Sequence, residues 1–84
     1  MGETVAHLTV REVGRVAESV LGRPLNVTSN TDIARDLAID SLTLMNIVME
    51  LEDKFDMSIP LDRMAVIRTV GELGELIDEL RTKD

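Results

Sequence analysis

A serine, Ser41, stands in the run Asp36-Leu37-Ala38-Ile39-Asp40-Ser41-Leu42, behind a helix-starting aspartate and ahead of a long apolar stretch. A hydroxyl in that setting has three possible roles. As plain structure it belongs to the first turn of a helix, where Ser and Asp are both favoured. As a nucleophile it needs a nearby base, usually His, and an oxyanion site. The one histidine, His7, lies before the first expected helix and no Ser–Lys spacing stands out, so catalysis is set aside. As a modified residue it has a physical rationale, because the free amides and positive end of a helix N-terminus favour a phosphate group. Asp40 opposes that charge, yet as a cap it fixes the turn and keeps the hydroxyl outward. Ser41 therefore reads as an attachment point and the chain as non-catalytic.

Little else in the chain offers chemistry. There is no cysteine, so no disulfide framework, thiol nucleophile or Cys-based metal site is available. That is compatible with a reducing cytoplasm, the expected location. Asp32-Ile33-Ala34-Arg35-Asp36 lacks the alternating ligands and central Gly of a calcium loop, and no metal is expected. Ala6 stands where a myristoylation signal prefers Ser or Thr after Met1-Gly2. No stretch approaches the ~20 apolar residues of a membrane span, so no membrane partner is expected. A net charge of −7 argues against nucleic acid, whose phosphates need clustered Lys and Arg.

The elements that position Ser41 follow from composition and periodicity. Eighty-four residues fit one domain, 1–84, with a core over about 9–81 and flexible ends at 1–8 and 82–84. An apolar content of 44% with one aromatic, Phe55, implies an aliphatic core of the kind that suits helices packed on helices. The expected fold is all-α: a small four-helix bundle of three longer helices and one short one, with a long ordered loop between the first and second. Thr9-Val10-Arg11-Glu12 fits a capping box for the first helix, and Gly22 supplies its stop. The loop Arg23–Ile39 is anchored by Leu25, Val27, Ile33 and Leu37, with a short turn after Asp32. Asp40 starts the second helix, which runs to Phe55. Pro60 opens the short third, and Thr69-Val70-Gly71-Glu72 repeats the capping pattern for the last, which frays at Arg81-Thr82-Lys83-Asp84.

The second helix carries more apolar surface than one packing face uses. Leu44, Ile47, Val48, Leu51 and Phe55 form a continuous stripe at helical spacing, the core face. Leu42, Met45 and Met49 form a second stripe, rotated by roughly 140° from the first. In so small a domain that second stripe is expected to be exposed, as contact surfaces are, and the flexible Met thioether suits varied partners. Glu52 and Asp53 extend it with charge. From Asp36 to Asp62 there are seven acids and one base, Lys54, whereas the rest of the chain holds nine acids and eight bases. This acidic sector either steers basic partners or simply solvates the fold.

These residues, together with Glu50-Leu51-Glu52-Asp53-Lys54-Phe55-Asp56 and Ile59-Pro60, closely resemble the acyl carrier proteins over essentially the whole chain. The Asp-Ser-Leu triplet alone is weak, but with its flanking motifs, the size and the acidity the resemblance is specific. It implies that Ser41 receives 4′-phosphopantetheine from coenzyme A through a phosphopantetheinyl transferase. The arm's thiol would hold acyl groups as thioesters for acyltransferases, ketosynthases or ligases, in fatty-acid-like or polyketide and other secondary-metabolite biosynthesis. By the same resemblance Asp40, Leu42, Met45, Met49, Glu52 and Asp53 form the partner-docking face of a monomer. Leu44, Val48, Leu51 and Phe55 would line a core that in some members opens for the acyl chain.

The chain also departs from that pattern. Carriers of fatty-acid synthesis usually have Gly where Ala38 stands and acids where Thr43 and Asn46 stand. A dedicated partner set fits those changes better. The Met start and short flanks point to a free-standing protein. The alternative is a free-standing aminoacyl or peptidyl carrier loaded by an adenylating enzyme, though such carriers commonly show a Gly-rich run where this chain has Ala38-Ile39-Asp40.

Overall fold

A computed structural model of the chain describes the backbone of residues 5–81 and the side chains of residues 8–81. Among the described residues five helices follow one another: α1 (Val5–Leu21), α2 (Ile33–Asp36), α3 (Ser41–Phe55), α4 (Leu61–Met64) and α5 (Val70–Arg81). Among the described residues there is no strand, only an isolated antiparallel bridge between Asp32 and Thr69. The all-α bundle expected from composition is present. Its three longer helices are α1, α3 and α5, and α4 is the short one; the turn foreseen after Asp32 is a fifth, single-turn helix. Thr82-Lys83-Asp84 and residues 1–4, expected to be flexible, lie outside the described residues.

The start of α1 is a correction. The helix begins at Val5, four residues before the expected cap, so residues 5–8 belong to it and Thr9 lies in its interior. Thr9 is buried and its hydroxyl donates to Asp78 Oδ1 on α5. Glu12 does not reach back either; its carboxylate meets Lys54 Nζ of α3 at 3.1 Å and Arg15 at 3.9 Å. The end of α1 is as expected: Gly22 adopts φ +73°, and its N–H donates to Glu18 O at 2.8 Å.

α1 is the hub, packing most extensively on α5 and next on α3. Val10, Val13 and Ala17 of α1 meet Ile47, Val48 and Leu51 of α3 and Val70, Leu73, Leu76 and Ile77 of α5 in one core. Leu51 and Ile77 are completely shielded from solvent. Each such side chain contributes about 1.5–3 kcal/mol through burial alone. The core is nearly filled: the void between the three long helices and the loop residues Val27, Ile33, Leu37 and Ile39 is about 10 Å³, room for about one water. No acyl chain fits there unless these elements part.

The long loop is ordered through its hydrogen bonds. Arg23 Nη2 donates to Leu37 O at 3.3 Å, and Leu25 N–H donates to Glu18 Oε2 at 2.9 Å. Further along, Ile33 N–H donates to Arg68 O, Val70 N–H to Thr31 O and Gly71 N–H to Ser29 O, each at 2.9 Å. Ile33, Leu37 and Ile39 are buried. The loop thus fastens the start of α3 to Arg68 and the first turn of α5.

Candidate functional site

α3 begins where the sequence places it, and for the expected reason. Asp40 is extended (φ −82°, ψ 176°), and its Oδ1 accepts the Thr43 N–H at 2.8 Å, satisfying an amide the helix leaves free. The Thr43 amide, reinforced by the Thr43 hydroxyl, holds the Asp40 carboxyl below the usual carboxylate range. Ser41 is then the first helical residue and is exposed.

Three residues upstream of Ser41, Ala38 takes φ +54°. An L-residue in that left-handed region bears a steric cost of about 1–2 kcal/mol that glycine escapes. Leu37 and Ile39 explain why it stays there: both are buried, and the reversal at Ala38 lets the chain drop one into the core on each side of it. This accounts for the glycine usual at this place in the carriers the chain resembles.

The two stripes of α3 divide as their spacing predicts. Ile47, Val48 and Leu51 are buried, while Leu44 and Phe55 pack half-buried against them. Leu42 is 73% exposed, Met49 61% and Met45 38%. Asp53 lies exposed on the same helix. Glu52 has a second occupation: it is half-buried, and its Oε2 accepts the Ile59 N–H at 2.8 Å, clasping the segment after α3. Sequence reasoning missed two further apolar side chains, Leu61 (64% exposed) and Val66 (72%). Leu61 carried a signal, since a single-turn helix has one face to bury and Met64 fills it; Val66 lies past the end of that helix.

Beside Ser41 an open cleft of about 270 Å³ runs between α2, the start of α3 and the segment before α5. Ile33, Ile39, Leu44 and Ile67 give it an apolar lining, and Asp32, Asp40 and Arg68 bring charge. An exposed hydroxyl at a helix mouth, with an apolar-lined trough next to it, suits a long flexible group joined through a phosphate. Among the described residues no cluster of His, Cys, Asp or Glu has the arrangement of a metal site. No described helix is long and apolar enough to cross a membrane.

Comparison with known proteins agrees with this geometry. Residues 11–77 match the phosphopantetheine attachment site family, a span that contains both Ser41 and the cleft. A "Probable acyl carrier protein" of Caulobacter vibrioides is 57% identical over 96% of this chain and 94% of its own length. An "Acyl carrier protein" of Rhodococcus erythropolis is 35% identical over 88% of this chain and 82% of its own. A solved structure from Mycobacterium tuberculosis, described as a "putative acyl carrier protein", superposes with a TM-score of 0.79 at 28% identity, covering 84% of this chain and 96% of that one. The chain belongs to the acyl carrier proteins, the phosphopantetheine-attachment family.

Proposed function

We propose that Ser41 is the residue that carries the phosphopantetheine arm, and that the chain shuttles acyl groups among the enzymes of a dedicated biosynthetic pathway. The observation that carries this reading is the exposed hydroxyl at the first residue of α3, fixed by the Asp40 cap, within the matched family span. Ser41 Oγ bonds to the phosphorus of the phosphopantetheine moiety of coenzyme A, the diphosphate linkage breaks to release adenosine 3′,5′-bisphosphate, and the serine proton passes to a base on the transferase. Once bound, the arm supplies the thiol that this cysteine-free chain lacks, and acyl groups ride on it as thioesters.

The chain's own part is positioning. Asp40 holds the turn that presents Ser41. Leu42, Met45 and Met49 offer an apolar landing face, and Asp40, Asp53 and the outer edge of Glu52 give it a negative margin that draws basic partners. Transferases, acyltransferases, ketosynthases or ligases would dock there. The fewer acids in the first turns of α3, with Thr43 and Asn46 in their place, favour a specialised secondary-metabolite or modified fatty-acid pathway.

The test is intact-mass measurement after incubation with coenzyme A and a promiscuous phosphopantetheinyl transferase. Wild type should gain one phosphopantetheine and Ser41→Ala none. An unmodified wild type beside a converted control carrier overturns the assignment. Met45→Glu or Met49→Glu should slow transfer to cognate enzymes with helicity retained, whereas global unfolding would place these residues in the core.

A further inference from the structure

The cleft beside Ser41 has a charge problem that one residue solves. A phosphodiester on Ser41 would sit next to the Asp40 carboxylate, with Asp32 lining the same cleft. Among the described residues that line the cleft, the one cation is Arg68. Arg35 lies just outside, paired with Asp36 at 3.3 Å.

The backbone of Arg68 is locked on both sides. Its N–H donates to Glu72 Oε1 at 2.7 Å, and its carbonyl accepts the Ile33 N–H at 2.9 Å. Its guanidinium, by contrast, is exposed and makes no hydrogen bond or ion pair among the described residues, although its charge acts at longer range on the Glu72 carboxylate. A fixed Cα whose planar fork has no hydrogen-bond partner is placed to take an oxyanion, because guanidinium geometry matches phosphate oxygens two at a time.

We propose that Arg68 holds the phosphodiester of the arm on Ser41, so that the arm leaves the helix over the apolar lining of the cleft. This rests on the assignment of Ser41 as the attachment residue. It makes Arg68 a positioning residue: it carries no cargo, but restrains the first bonds of the arm and offsets the Asp40 and Asp32 charges. The flexible remainder of the arm then starts from a fixed direction toward Ile67 and the α4 side of the molecule.

The experiment uses the full chain in apo form and after conversion with coenzyme A and a transferase, with conversion verified by mass. The Arg68 Nε–H resonance should move between apo and holo protein, and should not move in Ser41→Ala. The ³¹P resonance of the holo phosphodiester should shift in Arg68→Gln, shift less in Arg68→Lys, and stay in place in Arg35→Gln. Because both backbone bonds of Arg68 survive substitution, Arg68→Gln is expected to fold, and its amide spectrum verifies that. Full conversion with an Arg68 Nε–H that does not respond, and a ³¹P resonance identical in Arg68→Gln, overturns this inference alone. Failure of wild type to gain the arm overturns the Ser41 assignment and this inference with it.

Discussion

Thr9-Val10-Arg11-Glu12 and Thr69-Val70-Gly71-Glu72 carry the same Thr-Val-x-Glu pattern, and the fold uses them in opposite ways. The second is a true capping box: Glu72 N–H donates to Thr69 Oγ1, and Thr69 N–H donates to Glu72 Oε1, both at 3.1 Å. The first is helix interior, with Thr9 buried and tied to Asp78 while Glu12 faces Lys54. What separates them is the chain just before the threonine. Arg68 is held out of any helix by its bond to Ile33 and the adjoining bridge to Asp32, so the backbone must begin a helix afresh at Thr69. Before Thr9 the chain is already helical, and the amides a cap would satisfy are bonded to the preceding turn. A capping motif needs a break upstream of it, and here that break comes from a contact 37 residues away in sequence. The two motifs also serve different ends: one ties α1 to α5, and the other fixes Arg68 at the edge of the Ser41 cleft.

Breaking this comparison is most direct at Gly71. A Cβ there would sit 2.8 Å from Ser29 O, a backbone atom with little room to retreat. Gly71→Ala should therefore destabilise by about 1–3 kcal/mol, the usual range for overpacking, despite the better helix propensity of Ala. Thr9→Val comes next. It keeps the shape but removes the donor to Asp78, and a hydrogen bond to a charged group is worth about 1.5–3 kcal/mol at most, reduced here because Asp78 is partly exposed. Thr69→Ala removes one cap bond, for about 1 kcal/mol. In a domain this size each 1 kcal/mol lowers the melting temperature by about 4–8 °C, so thermal denaturation resolves all three. Amide exchange sharpens the contrast: Val10, Arg11 and Glu12 should be protected as helix interior. Free exchange at those amides would show that the first motif caps after all.

Much of the site was legible because α3 obeys one period. Fifteen residues at 100° per residue separate Ile47, Val48 and Leu51 from Leu42, Met45 and Met49 with no help from tertiary structure. Asp40 was equally plain, since a cap acts within three residues. The rest depended on contacts that no local pattern encodes. Arg68 reaches the Ser41 cleft only because residues 31–33 pair with 68–70. Glu52 bonds Ile59 only because the chain turns back after Asp56, which takes φ +54° at the end of α3. Ala38 hides its left-handed conformation behind a methyl group, where a glycine would have announced it.

The smallest effect lies in acid, and it again separates the two motifs by location. Among the described residues three carboxyls are held below their ordinary values by backbone amides: Glu72 by Arg68 and Thr69, Asp40 by Thr43, and Asp36 by Asp32. All three brace the surroundings of Ser41. Because their folded values lie below the unfolded ones, their stabilisation is complete above about pH 4.5 and is lost as pH falls through the lowered values. All three are exposed, so solvent screening keeps the effect modest. Acidification should therefore loosen residues 32–43 and 68–72 before the α1–α5 packing gives way. Carboxyl-carbon NMR titration locates the three protonations, and amide exchange, corrected for intrinsic rates, should rise first at Arg68, Thr69 and Thr43. Glu72→Gln should remove the pH dependence at Arg68 and Thr69 while leaving Thr43 to follow Asp40. Simultaneous loss of protection throughout the bundle would show that these carboxylates brace the whole fold and not the cleft.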